Sequence, residues 1–286
     1  MANTKEIKNR IRGVENTKKI TKAMKLIAAS KLKKARQMHE QTLPFFKHIQ
    51  EVMADIMTKA PNENTIFFDQ RENKKNRKIG YIVIASDSGL NGSYNSNILK
   101  YASKNIDKEN SIVFPIGNVV RQYMVKNNYT VEEDIGVSKY SVTTISATYI
   151  ARHMVKLFKE GKIDELRLIY TEMKTIMDLK PDEIKLLPLN KDDFKLEDNK
   201  VTATFELEPE PDIVFERLTS QYVKGIIYGG MVESFVSEHS ARMMAMDSAT
   251  TNAENLAKKL NLDYNRARQQ AITNEISEII GGAMNT

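Results

Sequence analysis

The stretch from Ser86 to Asn95, SDSGLNGSYN, comes closest to a ligand-binding chemistry. It follows a short apolar run and precedes a helical pattern, and a glycine-containing turn that opens a helix is a common cradle for phosphate. Gly89 and Gly92 supply glycines, but the turn holds no lysine, and the chain contains neither G-x-x-x-x-G-K-[ST] nor G-x-G-x-x-G. Nucleotide binding is therefore the weaker interpretation, and a structural or partner-facing turn is the stronger one.

Other residues that could catalyse a reaction or bind a metal are scattered along the chain. There is no cysteine, and the four histidines lie far apart without the spacing of metal ligands. The sequence also lacks G-x-S-x-G and any evident set of serine, histidine and acid. We predict no catalytic residues, no cofactor and no metal site.

The basic residues are concentrated at the start of the chain. The whole chain carries a net charge of +6, yet Met1 to Glu40 contains twelve Lys or Arg against three Glu. This segment is suited to anionic partners, or is simply a solvated face. No apolar run reaches about 18 residues, and the charged start does not resemble a secretory signal. We expect a cytoplasmic protein without lipid insertion.

Both ends of the chain are predicted to be long helices. Thr4 to Lys59 (56 residues) and Pro211 to Ala283 (73 residues) are rich in helix-forming residues and carry apolar stripes with steps of mostly three or four. The first stripe is predicted at Ile7, Ile11, Val14, Ile20, Met24, Ile27, Ala35 and Met38. The second includes Met243, Met246, Ala249, Ala253, Leu256, Leu260, Ala267, Ala271 and Ile276.

The middle of the chain changes to short apolar strands that alternate with helices. Strands are predicted at Ile79 to Ala85, Ser111 to Ile116, Leu166 to Met177 and Ile184 to Leu189, with helices from Tyr94, after Ile116 and from Thr143. The last two strands are able to pair with each other. The pattern predicts a Rossmann-like α/β domain whose sheet is largely parallel with an antiparallel edge.

Two striped helices that flank a globular insertion bury their stripes most economically against each other. We predict an antiparallel coiled coil of the N- and C-terminal helices, with segments 1–60, 76–205 and 209–286 as first helix, α/β domain and second helix. The second helix exceeds the first by 17 residues, or about 25 Å. Its end, with Ile276, Ile279 and Ile280, should project alone and needs a partner surface.

Three blocks of the chain are NTKKITKAMKLIAASKLKKA, SEHSARMMAMDSATTNAENL and YNRARQQAITNEISEIIGGA. They resemble the gamma chains of bacterial F-type ATP synthases, and SDSGLNG is similar to the turn after the first strand of the family's α/β domain. Many members have cysteine where this chain has Asn91. The resemblance implies a non-catalytic rotor subunit, peripheral on the cytoplasmic side of the cell membrane. Its implied partners are the alpha and beta subunits of the catalytic ring, the epsilon subunit and the membrane c-ring.

The resemblance also implies partner-binding residues. Arg242 and Gln269 are expected to donate hydrogen bonds to a loop of the beta subunit, with Thr273 beside them. Met24 and Lys25 are expected to face an acidic beta segment. The segment from Ile276 to Ala283, including Ile279 and Ile280, is expected to turn in an apolar sleeve.

Two other classes of protein remain open. The basic first helix is compatible with a coiled-coil protein that binds nucleic acid, although no aromatic residues accompany the lysines. The central segment is also compatible with an α/β enzyme that carries a helical arm. Salt-sensitive binding to duplex DNA, or a ligand retained by Lys78 to Val201, would distinguish these alternatives.

Overall fold

The computed structural model describes residues 4–59, 66–68, 76–132, 142–190 and 211–283. Helix α1 spans Thr4–Lys59 and helix α5 spans Pro211–Ala283, the bounds predicted from the sequence. Helix α1 continues through Pro44. No described helix is long and apolar enough to cross a membrane. The ends of the predicted segments, including 60, 191–205 and 284–286, lie outside the described residues.

The chain divides into two compact units. Residues 1–30 and 242–286 form the first unit, and residues 31–241 form the second. Helices α1 and α5 therefore contribute residues to both.

The first unit is an antiparallel helix pair. Lys18 binds Glu254 at 3.0 Å, the hydroxyls of Thr21 and Thr250 lie 2.8 Å apart, and Lys25 binds Asp247 at 2.5 Å. Positions rise along α1 as they fall along α5, which fixes the antiparallel orientation. The predicted pairing of the terminal helices is confirmed.

The second unit is built around a four-stranded sheet. Its strands are β1 (Ile79–Ile84), β2 (Ser111–Ile116), β3 (Glu165–Met173) and β4 (Leu179–Leu187), in the order β2-β1-β3-β4. Strands β1, β2 and β3 are parallel, and β4 pairs antiparallel with β3. The helices are α2 (Tyr94–Asn105), α3 (Asn118–Lys126) and α4 (Thr144–Lys159). The predicted mixed sheet is confirmed.

The β3–β4 hairpin differs in detail from the prediction. Strand β3 ends at Met173 rather than Met177, and β4 begins at Leu179 rather than Ile184. The first half of β4 contains charged residues and Pro181, which an edge strand tolerates, and among the described strands β4 pairs only with β3. Residues 179–183 therefore fell outside the predicted strands.

Helices cover both faces of the sheet. On one face, α2 and α3 pack on β1 and β2 through a core that includes Tyr81, Val83, Ile98, Val120 and Met124. On the other face, α5 approaches β3 closely. A Cβ at Gly230 would lie 2.7 Å from Leu168 Cδ2, so glycine permits this approach. The close neighbour of α5 at Gly230 is therefore a strand, β3.

A partly buried ion-pair cluster links β3 to β4. Arg167 Nε donates to Glu165 at 2.5 Å and Arg167 Nη1 donates to Glu183 at 2.5 Å. Burial disfavours the guanidinium charge, but these hydrogen bonds outweigh that effect and raise the pKa of Arg167. The cluster fixes β4 on the edge of the sheet.

Candidate partner interfaces

The seam between α1 and α5 follows a strict alternation of four- and three-residue steps, as in a heptad coiled coil. On α1 the buried or half-buried seam positions are Ile7, Ile11, Val14, Lys18, Thr21, Lys25 and Ala28. On α5 they are Met246, Thr250, Ala253, Ala257, Leu260, Tyr264 and Ala267. Small and polar residues hold many of these positions, so the helices are joined by ion pairs and a hydroxyl contact as well as by apolar packing.

Several residues assigned to the stripes are not on this seam, and three of those within the helix pair are exposed. Ile20, Ile27 and Leu256 are 60%, 58% and 47% exposed. The predicted stripe selected the apolar side chains, whereas the heptad spacing selects Lys18, Thr21 and Lys25, whose stems or hydroxyls pack inward. Long lysine stems cover apolar surface while their ammonium groups remain at the rim.

The position of the seam predicts effects of very different size for substitutions at two adjacent residues. Ala28 is 1% exposed, so Ala28→Leu should overpack the seam and lower the free energy of unfolding by about 1–3 kcal/mol. Ile27→Ser should change it by less than about 0.5 kcal/mol, because that side chain is largely in solvent. Thermal unfolding followed by circular dichroism measures both. Equal effects of the two substitutions on the free energy of unfolding would show that the seam is wrongly assigned.

Lys25 lies on the seam and Met24 lies beside it, and both are half-buried. The Lys25 ammonium is already bound to Asp247, whose side chain is 58% exposed. A partner that approaches this surface therefore meets an ion pair rather than an isolated cation. Lys18 is neutralised in the same way by Glu254.

The pair of Lys18 and Glu254 predicts a weak dependence of stability on pH. The hydrogen bond from Lys18 and its positive charge lower the pKa of Glu254 below its ordinary value of 4.5. A lowered folded-state pKa adds stability above about pH 4.5, and this contribution is lost as the pH falls through the lowered value. Chemical unfolding of Glu254→Gln across that range should show a smaller loss on acidification than the unsubstituted chain. Parallel curves would contradict the assignment.

Arg242 is buried, with 9% of its surface exposed. In the chain alone this side chain is already surrounded by protein. A contact to another subunit would therefore use the small exposed remainder of this residue, and Arg242 also contributes to packing within its own chain.

The end of α5 extends beyond the start of its partner helix. The ion-pair register places Thr4, where the described part of α1 begins, opposite about residue 268, and every residue from 268 to 280 is exposed. We call residues 268–280 the C-terminal arm. Ile276, Ile279 and Ile280 are 51%, 72% and 51% exposed, which agrees with the predicted free end.

The arm places most of its predicted site residues on one side of the helix. Gln269, Thr273, Ile276 and Ile280 follow steps of four, three and four, and Ile279 borders them. The Thr273 hydroxyl donates to the backbone carbonyl of Gln269 at 3.0 Å, and Gln269 is itself exposed. This side of the arm is polar at Gln269 and Thr273 and apolar from Ile276 to Ile280.

The isoleucine side of the arm does not continue the coiled-coil seam. Extending the seam from Ala267 by the same steps reaches Ala271, Asn274 and Glu278, which are small or polar. The apolar face has rotated away from the seam. The surface that the arm offers is therefore shaped for a different neighbour than another helix in the register of α1.

The turn after β1 is internally satisfied by its own side chains. Asn91 Nδ2 donates to Ser86 Oγ at 3.0 Å, and Ser86 Oγ donates to Asn95 Oδ1 at 2.8 Å. Asp87 accepts a hydrogen bond from the backbone N–H of Asn118 at 3.0 Å, at the start of α3. This carboxylate lies at the N-terminus of α3, whereas the turn itself opens α2, so the side chains of the turn bind other parts of the same fold. The geometry supports the structural interpretation of the turn, and no group of potential metal ligands occurs in the described ranges.

The comparisons identify the family. The sequence profile of the ATP synthase family matches residues 3–285. The ATP synthase gamma chain of Ruminiclostridium cellulolyticum is 42% identical over 98% of each chain. The chain belongs to the ATP synthase gamma chain family. A second family member, the gamma chain of Acetobacterium woodii described as sodium ion specific, is 37% identical over 98% of each chain.

A solved structure shows that the gamma-chain fold is shared at greater distance. A chain of the Euglena gracilis mitochondrial ATP synthase, in a structure containing OSCP, F1 and c-ring, superposes with a TM-score of 0.65. It is 17% identical, and the superposition covers 98% of this chain and 93% of that one. The likeness supports the observed combination of terminal helices and central sheet.

Sequence reasoning missed the acidic partners of the basic helix. Asp247 and Glu254 lie on α5 seven residues apart, and Lys18 and Lys25 lie on α1 with the same separation. Matching heptad separations of opposite charge on two predicted partner helices would have indicated these pairs.

Proposed function

We propose that this chain is the central rotor shaft of an F-type ATP synthase. In that role it couples ion flow through the membrane rotor to ATP synthesis or hydrolysis at the beta-subunit sites, without a catalytic site of its own. The chain works at the cytoplasmic side of the cell membrane as a peripheral subunit. Its partners are the alpha and beta subunits, the epsilon subunit and the c-ring.

The observation that carries the proposal is the exposed C-terminal arm of a gamma-family chain. Thirteen consecutive exposed residues at the end of an antiparallel helix pair include Ile276, Ile279 and Ile280. Burying isoleucine contributes roughly 1.5–3 kcal/mol per side chain, which favours an apolar surface around the arm. Apolar contact is also non-directional, so it does not hold a rotating helix at fixed angles.

In this proposal the polar residues make contacts with the beta subunits that change with the rotation angle of the shaft. Gln269 and Thr273 contact a loop of the beta subunit at the start of the arm, and Arg242 contributes from its buried position. Met24 and Lys25 face an acidic beta segment. Because the shaft differs from side to side, each beta subunit meets another surface at each angle, which shifts its nucleotide-binding states in turn.

The paired lysines argue against the nucleic-acid alternative. Lys18 and Lys25 are bound to Glu254 and Asp247, so the basic helix offers phosphates less free charge than its sequence suggests. The self-bonded turn after β1 likewise offers no support for an α/β enzyme.

Co-purification from the native cell tests the rotor proposal. A tagged chain should be recovered from gently solubilised membranes with alpha and beta subunits in threefold excess and with ATPase activity, as the proposed catalytic ring requires. A matched chain in which Ile276, Ile279 and Ile280 are all serine controls for assembly through the rest of the chain. Recovery of the unsubstituted chain alone, or with nucleic acid, would reject the proposal.

A further inference from the structure

A set of side chains on α5 binds the backbone of the β3–β4 hairpin. Ser234 Oγ accepts from the Thr171 N–H at 3.3 Å, and Ser237 Oγ donates to the Thr171 carbonyl at 3.1 Å. Glu233 Oε1 accepts from the Met173 N–H at 3.3 Å, and Ser240 Oγ donates to the Ile176 carbonyl at 3.1 Å. We call Glu233, Ser234, Ser237 and Ser240 the hairpin clamp.

The hairpin clamp binds β3 beyond the point where the pairing of β3 with β1 ends. Strand β1 pairs with β3 only as far as Ile169, opposite Val83. Beyond that point the same edge of β3 exposes backbone groups that need other partners. The clamp side chains bind Thr171 and Met173 there, so the helix replaces the missing strand.

Small residues make this contact possible. Gly230, Ser234 and Ser237 follow steps of four and three along α5, and Gly230 lets the helix approach Leu168 and Tyr170. Ser234, Ser237 and Ser240 are all fully buried, at 0% exposure. Their hydroxyls therefore reach the hairpin backbone directly; the two bonds to Thr171 are buried, and the bond to Ile176 is partly buried.

We propose that the hairpin clamp is the joint that fixes α5 on the sheet against turning force, an inference that rests on the proposed rotor function. Hydrogen bonds depend on direction, whereas apolar packing permits sliding. Two bonds to one residue, Thr171, together with bonds to Met173 and Ile176, define both the rotation and the position of the helix along the hairpin. α5 also supplies residues 242–283 of the coiled-coil unit, so force applied to those residues reaches this joint.

The proposal predicts a loss of coupling without a loss of hydrolysis. The test uses the assembled synthase in sealed vesicles and measures ATP hydrolysis together with ATP-driven ion uptake against an imposed gradient. Ser234→Ala combined with Ser237→Ala should lower ion uptake per ATP several-fold under load, while hydrolysis without a gradient stays near the unsubstituted rate. Hydrogen exchange at the Thr171 amide should accelerate in the same variant, because that amide loses its partner.

The chain offers a matched control at the same place. The Thr171 hydroxyl is buried and makes no hydrogen bond within the described part of the chain, so Thr171→Val keeps the clamp intact while altering the same site. This variant should retain full coupling. If the double variant does not assemble, the ion uptake per ATP under load is measured on Ser240→Ala, which removes only the bond to Ile176.

Each outcome decides the inference. A clamp variant that pumps as many ions per ATP as the unsubstituted complex under load would overturn the joint, and so would equal uncoupling by Thr171→Val. Failure of the unsubstituted chain to support any ion uptake in an otherwise active complex would instead reject the rotor function.

Discussion

Replacement of Gly117 with alanine is expected to destabilise the α/β unit severely. Gly117 adopts φ +103° between β2 and α3, in a region that disfavours side chains. A Cβ would lie 2.1 Å from the Ala85 carbonyl oxygen and 2.8 Å from its carbon. Both atoms belong to the backbone at the end of β1, so relief requires the strand or the helix start to move. We expect a loss of more than about 3 kcal/mol in the free energy of unfolding.

Urea unfolding followed by tyrosine fluorescence measures this effect. Ten of the eleven tyrosines lie between residues 31 and 241, so the signal reports mainly on the α/β unit. Gly89→Ala is the matched control, since a Cβ there has no neighbour within 4 Å, and it should change stability by less than about 0.5 kcal/mol. Similar midpoints for the two variants would show that the turn at Gly117 relaxes easily.

Replacement of Arg167 with methionine should cost about 2–3 kcal/mol, because it leaves two carboxylates without their cation. The side chains of Glu165 and Glu183 are only 8% and 14% exposed. The expected cost is below that of a fully buried pair, since 34% of the Arg167 side chain is exposed and solvent screens its charge.

A compensated variant separates charge from packing at this cluster. Combining Arg167→Met with Glu165→Gln and Glu183→Gln removes the uncompensated charges while keeping similar side-chain volumes, and should restore much of the lost stability. Urea unfolding of the three chains in parallel gives the comparison. A triple variant as unstable as Arg167→Met alone would show that the loss arises from packing of the arginine stem.

The sequence predicted the elements better than the contacts between them. Helix bounds were readable because helix formers predominate at both ends of the chain, and β1 and β2 were readable as buried apolar runs. Strand β4 was partly missed because an edge strand with charged residues and Pro181 has the composition of a loop. Local composition identifies strands that are buried on both faces of a sheet, whereas it identifies strands at the edge of a sheet poorly.

The contacts between the elements were harder to predict from the sequence, for a physical reason. Ile20 and Ile27 were placed on the seam since they are apolar, yet spacing decides which residues face the partner, and it selects Thr21 and Ala28. The hairpin clamp was not predicted at all. Its serines act on backbone groups of a strand more than 60 residues away, and only the folded sheet shows that those groups lack a strand partner.

The rotated isoleucine face of the C-terminal arm bears on the behaviour of newly synthesised chains before assembly. If the heptad of α5 continued with apolar residues, the arms of two free copies would be able to form an intermolecular coiled coil. Such a dimer would not be available for assembly. Asn274 and Glu278 occupy those positions instead, and a carboxylate or amide in such a seam disfavours pairing. These polar residues therefore disfavour extension of the α5 seam into a coiled coil between two free copies, whereas the isoleucine face of the arm stays exposed.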